Sequence, residues 1–440
     1  MKVSIVALCF FASLVAQAAD TKLSVNPDIR LDSMYYPTKV SPDYSGVREI
    51  YTLSAPGSVR FAKEWKFRFN PELSGDPQNA SKAERFFADP REAYMQWQKH
   101  PFTFQLGWNT FTWGDTDVFN PLDVVNQHRY QDPLRSEKLG APSLTARWEH
   151  GPWSLEGVYV IRQRKSLLPG ENSRWLPRDI YSSESIGSSG IQGTVTLPSN
   201  VNYNYSTEAE LDHALSNNFG ARIKGKFSGL DVSLVGFQGA ANAPMVGLSQ
   251  ITVIATSFNS ANNINFVVSP NVYLQATYYK IQMAGASFVS VLGDFLLKGE
   301  SAYTKPVSAK SGIPLKGFDN VLALERGFDV GGNTLTAILE GTYAYHQDPV
   351  DNGSTSLSRM FDRAGILALR YAIGEKWTVL SSFLRDTKYK GNFYRGQVSY
   401  LLRDSLTLDL TADVIGGETG TPLGTYAKND RGIFGLEYRF

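Results

Sequence analysis

The chain of 440 residues has one cysteine, five histidines and no excess charge of either sign, with 43 Lys and Arg against 42 Asp and Glu. A single cysteine, Cys9, excludes a disulfide framework and a thiolate metal cluster. Balanced charge argues against nucleic acid as a partner, because no surplus of cations exists to neutralise phosphates. The body of the chain has no apolar run approaching the ~18 residues of a helical membrane span. Glycine (38), tyrosine (22) and phenylalanine (25) are plentiful. That mixture suits strands and turns rather than helices.

The N-terminus has the three parts of an export signal. Lys2 is basic, Val3 to Val15 are apolar or small, and Ala16-Gln17-Ala18 supplies an A-x-A cleavage site. We expect residues 1–18 to be removed as a signal peptide, taking Cys9 and Lys2 with them. Residues 19–440 are then expected to form one neutral, cysteine-free domain.

Period-two segments fill that domain, and alternate side chains of a strand face opposite sides of a sheet. Leu406, Leu408, Leu410, Ala412 and Val414 oppose Thr407, Asp409, Thr411 and Asp413. Trp65, Phe67 and Phe69 oppose Lys66, Arg68 and Asn70, and Tyr394 to Leu402 alternate in the same way. The connections alternate too. Short turns at 99–101, 150–152, 228–229, 331–332, 374–376 and 403–405 separate long polar stretches at 74–90, 110–142, 164–206, 239–248, 304–319, 347–363 and 416–429. Short turns on one side and long loops on the other match a membrane barrel with periplasmic turns and extracellular loops. A sheet that spans lipid has to close, because no water satisfies its edges. The expectation is all-β: a transmembrane antiparallel up-and-down β-barrel of about 18 strands, within a range of 16 to 20. The stretches 28–54 and 249–291 leave the strand count open.

The chain ends on Phe434, Leu436, Tyr438 and Phe440, one apolar stripe, with Ile433, Gly435, Glu437 and Arg439 on the other face. This resembles the C-terminal strand of Gram-negative outer-membrane proteins that the barrel-assembly machinery reads. The segment from Asp89 to Tyr159 carries Gly107, Trp113, Gly114, Asn120, Pro121 and Asp123 as a "G-x-x-x-x-x-W-G" strand end followed by "N-P-x-D". It resembles a porin-like family of uncharacterised outer-membrane proteins. The resemblance implies the fold and an outer-membrane location more than an activity.

Three readings of the loop after Trp113 stand side by side. Asp115, Asp117, Asn120, Asp123 and Asn126 line a pore constriction if the loop folds inward. Closely spaced oxygens also suit calcium, although the D-x-D-x-D-G pattern is missing. In the third reading Trp113 anchors at an interface while the Asp and Asn side chains make local turns. On the strand phases Lys66, Arg68, Arg147, Arg162, Arg222, Lys224, Lys226, Arg395 and Arg439 point into the lumen, as do Glu149, Glu156, Asp231, Glu340, Asp409, Asp413 and Glu437. Opposed charges create a transverse field across a pore, and the run Arg222, Lys224, Lys226 favours anions. The alternative is that such charges pair between neighbouring strands.

An enzyme needs histidine near a carboxylate or serine, and only His346 with Asp348 offers such a dyad. No catalytic residue, metal or cofactor is expected. The favoured function is a porin-like channel for passive or weakly selective uptake of small solutes, held in outer-membrane lipid. The alternatives are a transporter of hydrophobic compounds, which needs an apolar lumen, and a binding or adhesion barrel acting through loops such as 164–206. The sequence leaves the oligomeric state open.

Overall fold

The computed structural model describes residues 21–440 except 41, 44, 178–180, 187–190, 197–201, 251–252, 261–262, 309–312, 314–315 and 348–359. The expected signal peptide and Asp348 therefore lie outside the described residues. Among those described, 18 antiparallel strands close into a barrel, as expected.

The wall begins with β1, made of Lys22–Val25 and Asp28–Tyr35, and β2, made of Val47–Ser54 and Gly57–Arg60. Then come β3 (Trp65–Gly75), β4 (Phe86–Lys99), β5 (Phe102–Asn109), β6 (Ala141–His150), β7 (Trp153–Arg162), β8 (Ser216–Phe227) and β9 (Leu230–Ala240). The second half is β10 (Lys280–Leu292), β11 (Phe295–Pro306), β12 (Lys316–Val330), β13 (Asn333–Gln347), β14 (Ala364–Ile373), β15 (Trp377–Asp386), β16 (Asn392–Arg403), β17 (Leu406–Gly416) and β18 (Arg431–Arg439). Each pairs with the next, and β18 returns to β1 with Arg439 opposite Asp28 and Gly432 opposite Tyr35. β1 and β2 break opposite each other, at Asn26-Pro27 and Ala55-Pro56. Proline has no N–H to give the ladder, and the Asn26 N–H spans the break to Pro56 O at 3.0 Å.

The stretches left open by the sequence resolve differently. Within 28–54, Asp28–Tyr35 and Val47–Ser54 are wall strands, whereas of 249–291 only β10 joins the wall. Val253–Ser260 and Asn263–Val268 form a small sheet outside the barrel with Tyr181–Ile186 and Ile191–Thr196. A second sheet joins Asn202–Tyr205, Ala209–Glu210, Met245–Gln250 and Asn271–Tyr278. Their alternation is real, but their partners are each other rather than the wall. Ile191–Thr196 even runs parallel to Asn263–Val268, because the two belong to different connections.

Alternation sorts the wall. Leu234, Leu322, Leu339 and Leu410 point outward and are exposed, so the outer face of the wall is apolar. Aromatic pairs mark both ends of the wall. Trp377 and Tyr400 lie 4.3 Å apart and Tyr438 and Phe440 4.9 Å apart at the short-turn end, and Tyr303 and Phe318 lie 4.7 Å apart at the long-loop end. Of the C-terminal stripe, Phe434, Tyr438 and Phe440 are exposed on the outside and Leu436 is half-buried. The buried apolar core lies inside the barrel, in its long-loop half.

Candidate functional site: chain segments inside the barrel

The connection between β5 and β6, residues 110–140, turns inward. Its neck is closed by Asn126, whose Oδ1 accepts the Phe111 N–H at 2.7 Å while its Nδ2 donates to Asn109 O at 3.0 Å and Leu139 O at 2.8 Å. One buried amide thus ties both ends of the excursion to one point.

The first lobe, 111–125, lies on the inner face of β7 to β13. Phe111, Trp113, Leu122, Val124 and Val125 pack on the inward side chains Val158, Val160, Val235, Phe237, Ile281, Met283 and Ala302. Two wall glycines make room. A Cβ on Gly220 would lie 2.6 Å from the Trp113 ring, and one on Gly285 2.3 Å from Leu122. Trp113 Nε1 donates to Glu156 at 2.8 Å. Two wall carboxylates hold the backbone. Glu300 accepts the N–H groups of Asp115 (2.5 Å), Thr116 (2.7 Å) and Leu122 (3.4 Å). Glu340 accepts those of Phe119 (2.9 Å) and Val118 (3.4 Å). Asp115 pairs with Lys224 at 3.0 Å and accepts from Ser287 at 2.5 Å, and Asp117 pairs with Lys298 at 2.7 Å.

The second lobe, 128–139, crosses to the opposite wall. Arg135 reaches Asp32 of β1 at 2.7 Å, and Asp132 pairs with the buried Arg431 of β18. These join a ladder in which Arg30 meets Asp32 (2.8 Å) and Asp409 (2.9 Å), Arg395 meets Asp413 (2.6 Å), and Arg431 meets Asp413 (2.8 Å). Leu134 packs against a second inner cluster containing Ile366, Leu384, Ile415, Leu423 and Trp175. Trp175 arrives on the next long connection, which also brings Arg164 to Asp89 at 2.5 Å and Gly170 to Glu84. Arg174 stacks 3.6 Å from the Tyr36 ring centre and donates to Asn429 and to backbone carbonyls.

Burial tunes the ionisable groups of these segments. It holds His128, stacked 5.5 Å from Tyr130, down at about 4, with Lys138 adding to the effect. It raises Asp123 despite the Lys138 ammonium 2.5 Å away. Glu84 is pushed up to about 7 by burial, against hydrogen bonds from Gly170 and Asn79.

The expected constriction residues therefore divide. Asp115, Asp117 and Asp123 pair with three different lysines instead of converging as calcium ligands would. The Asn120 amide fills the space above Gly114, and Asn126 is the neck clamp. Among the expected lumen charges, Arg68 pairs with Glu92 (2.7 Å), while Arg147 (3.0 Å) and Arg222 (3.5 Å) both reach Glu156. Arg222 and Lys224 are thus neutralised, which removes most of the one-sided run. Lys66 and Lys226 lie on inward phases of β3 and β8. Arg162, at the long-loop end of β7, turns to Glu210 outside the wall at 3.2 Å. His346 meets Asp319 at 3.0 Å and lies 3.7 Å from Asp362. Sequence reasoning overlooked Glu300. Its signal was the inward phase Lys298, Glu300, Ala302 of β11.

The chain belongs to the family described as "Protein of unknown function (DUF1302)", whose profile matches residues 38–403. No curated protein matches it. Among solved structures it is similar in fold to Pseudomonas aeruginosa OccK9 (OpdG), with a TM-score of 0.50 and 11% identity over 96% of this chain and 98% of that one. Pseudomonas aeruginosa OccK11 (OpdR) gives 0.49 and 9%, covering 96% of each chain. Salmonella typhi OmpF, solved in complex with daunomycin, gives 0.43 and 9% over 96% of this chain and 98% of that one. The likeness is one of fold, a porin-like barrel.

Proposed function

We propose that this member of the DUF1302 family is an outer-membrane channel, closed at rest, that admits small solutes when residues 111–125 leave the inner wall. The short turns then face the periplasm and the long loops the exterior. The C-terminal stripe serves the barrel-assembly machinery, and no residue acts in catalysis. The observation that carries the reading is the double grip on the first lobe. Glu300 and Glu340 hold its backbone, while Lys224 and Lys298 hold its carboxylates. A loop that merely lay over a rim would need none of these. In a barrel of this size the lumen is wide enough for water unless chain fills it.

The test is single-channel conductance of the folded protein in a planar bilayer under a salt gradient, beside a variant lacking 112–124. The intact barrel is expected to be nearly silent and the deletion to give discrete steps. A folded deletion variant without steps would overturn the reading.

A second reading, a path for hydrophobic compounds, is favoured by one observation. The inner wall under the first lobe is apolar, with Val158, Val160, Val235, Phe237 and Met283 in a position where water-filled channels carry polar side chains.

A further inference from the structure

This inference rests on the channel reading and names the chemistry of the solute. A closed lobe describes its own competitor, because whatever replaces it must satisfy the surface it leaves. That surface has two parts. One is the apolar strip of β7 to β11, notched by Gly220 and Gly285 to take an indole and a leucine side chain. The other is a pair of buried carboxylates, Glu300 and Glu340, exposed to 4% and 1%. These two are satisfied by N–H groups of the lobe, from Asp115, Thr116, Val118, Phe119 and Leu122. When the lobe departs, five N–H donors depart with it. The carboxylates then turn to water, or to a solute that covers the apolar strip. Such a solute has to bring donors of its own, because a buried carboxylate without them is costly, more so than a lost neutral hydrogen bond.

The two lysines on the strip do not tip the balance toward anions, and the third, Lys138, which loses Asp123, lies off the strip on the 128–139 segment. Lys298 keeps Glu325 at 2.9 Å after losing Asp117, and Lys224 keeps Asp231 at 3.9 Å after losing Asp115. The vacated strip is therefore apolar and rich in acceptors.

We infer that the solutes this barrel selects are apolar molecules bearing hydrogen-bond donors, ammonium or hydroxyl groups rather than carboxylates, and that Glu300 and Glu340 determine that selection. The apolar body occupies the Trp113 and Leu122 notches on Val235, Phe237 and Met283. The donor end takes the place of the lobe's backbone N–H groups.

Three probes with the same aromatic body separate donor capacity from charge: 2-phenylethylamine (cation with donors), its trimethylammonium analogue (cation without donors) and 3-phenylpropionate (anion). With Cys9 removed in the leader, Leu122→Cys supplies one buried thiol whose reaction with a water-soluble maleimide reports departure of the lobe. Quenching of Trp113, taken against Trp113→Phe, reports the same event in a protein with Leu122 intact. Phenylethylamine is expected to speed labelling about tenfold, a shift of ~1.4 kcal/mol in the lobe's equilibrium. The trimethyl analogue should have a much smaller effect and phenylpropionate none. Glu300→Gln with Glu340→Gln should abolish the difference between the two cations. Equal or stronger action of phenylpropionate, or a preference for the amine that survives both substitutions, would overturn the inference. The 112–124 deletion keeps the two readings apart. If it conducts while the amine shows no preference, only the solute class is wrong; if it does not conduct, the channel reading falls first.

Discussion

Trp113→Ala is the sharpest single perturbation of the closed state proposed for this barrel. The indole is 1% exposed, lies on Gly220 and donates to Glu156. Truncating a buried tryptophan costs about 3–5 kcal/mol. The lost hydrogen bond to a charged group adds about 1.5–3 kcal/mol at most. Much of that last figure is recovered, because Glu156 keeps Arg147 and Arg222. The wall is paired strand to strand and does not depend on the indole, so the loss of about 4 kcal/mol falls on docking of the lobe. At about 1.4 kcal/mol per tenfold, the open fraction rises ~10³-fold. Trp113→Phe keeps a six-membered ring but loses the rest of the indole with its N–H, so it should raise the open fraction by a smaller factor, about ten- to a hundredfold. Open probability in planar bilayers measures both, with folding checked by the heat-dependent shift on gels. A folded Trp113→Ala barrel whose closed dwell times match the parent's would refute the argument that the buried lobe is the closing element.

Two pH responses of opposite sign follow from the buried loop groups. His128 has its pKa lowered from 6.5 to about 4, so the released segment binds a proton that the docked one excludes. Docking of 128–139 is full above pH 6.5 and weakens as pH falls toward 4; His128→Phe should flatten the rise in hydrogen exchange of that segment over that interval. Glu84 has its pKa raised from 4.5 to about 7, so the Gly170 contact is full below pH 4.5 and is lost as pH rises through 7. Hydrogen exchange at the Gly170 amide should accelerate across that window and become pH-independent, after correction for intrinsic exchange, in Glu84→Gln. Asp132→Asn leaves Arg431, 3% exposed, with the Asp413 carboxylate, the Tyr36 hydroxyl and the Trp175 ring but without its second charge partner. Breaking one side of a buried pair costs about 3–5 kcal/mol, and the barrel's unfolding temperature should drop accordingly, whereas Arg162→Ala at the exposed end of β7 should leave it unchanged.

The wall was legible in the sequence because a sheet with an apolar outer face and a polar inner face has a period of two. Thr407 to Val414 and Tyr394 to Leu402 have one admissible phase each, and the short turns punctuate them. Val253–Ser260, Asn263–Val268 and Asn271–Tyr278 carry the same period yet belong to other sheets, since alternation identifies a strand and not its partner. The inward course of 110–140 was open to reading from its acids and from Trp113. Which wall residues receive it was not. Glu300, Gly220 and Gly285 sit more than 90 positions downstream of the lobe, and local pattern is blind to contacts of that range. The apolar inner strip was hidden for a related reason. Val158, Val160, Val235 and Phe237 sit on phases that the periodicity reserves for polar residues, and only a folded lobe above them makes them interior.

Asp132 and Arg135 also have a bearing on how the cylinder is made. Three residues apart, they grip Arg431 on the last strand and Asp32 on the first, the two edges whose meeting turns a ribbon into a tube. The lobe that carries them belongs to the connection after the fifth strand, far from either edge in the chain. It therefore spans the gap from within, as a splint does across a fracture. A ribbon that joined its edges with 128–139 still outside would strand Arg431 in the seam without Asp132. Closure of the tube and entry of the splint are one event, and a chain whose splint is defective should be lost during biogenesis before any transport defect is seen.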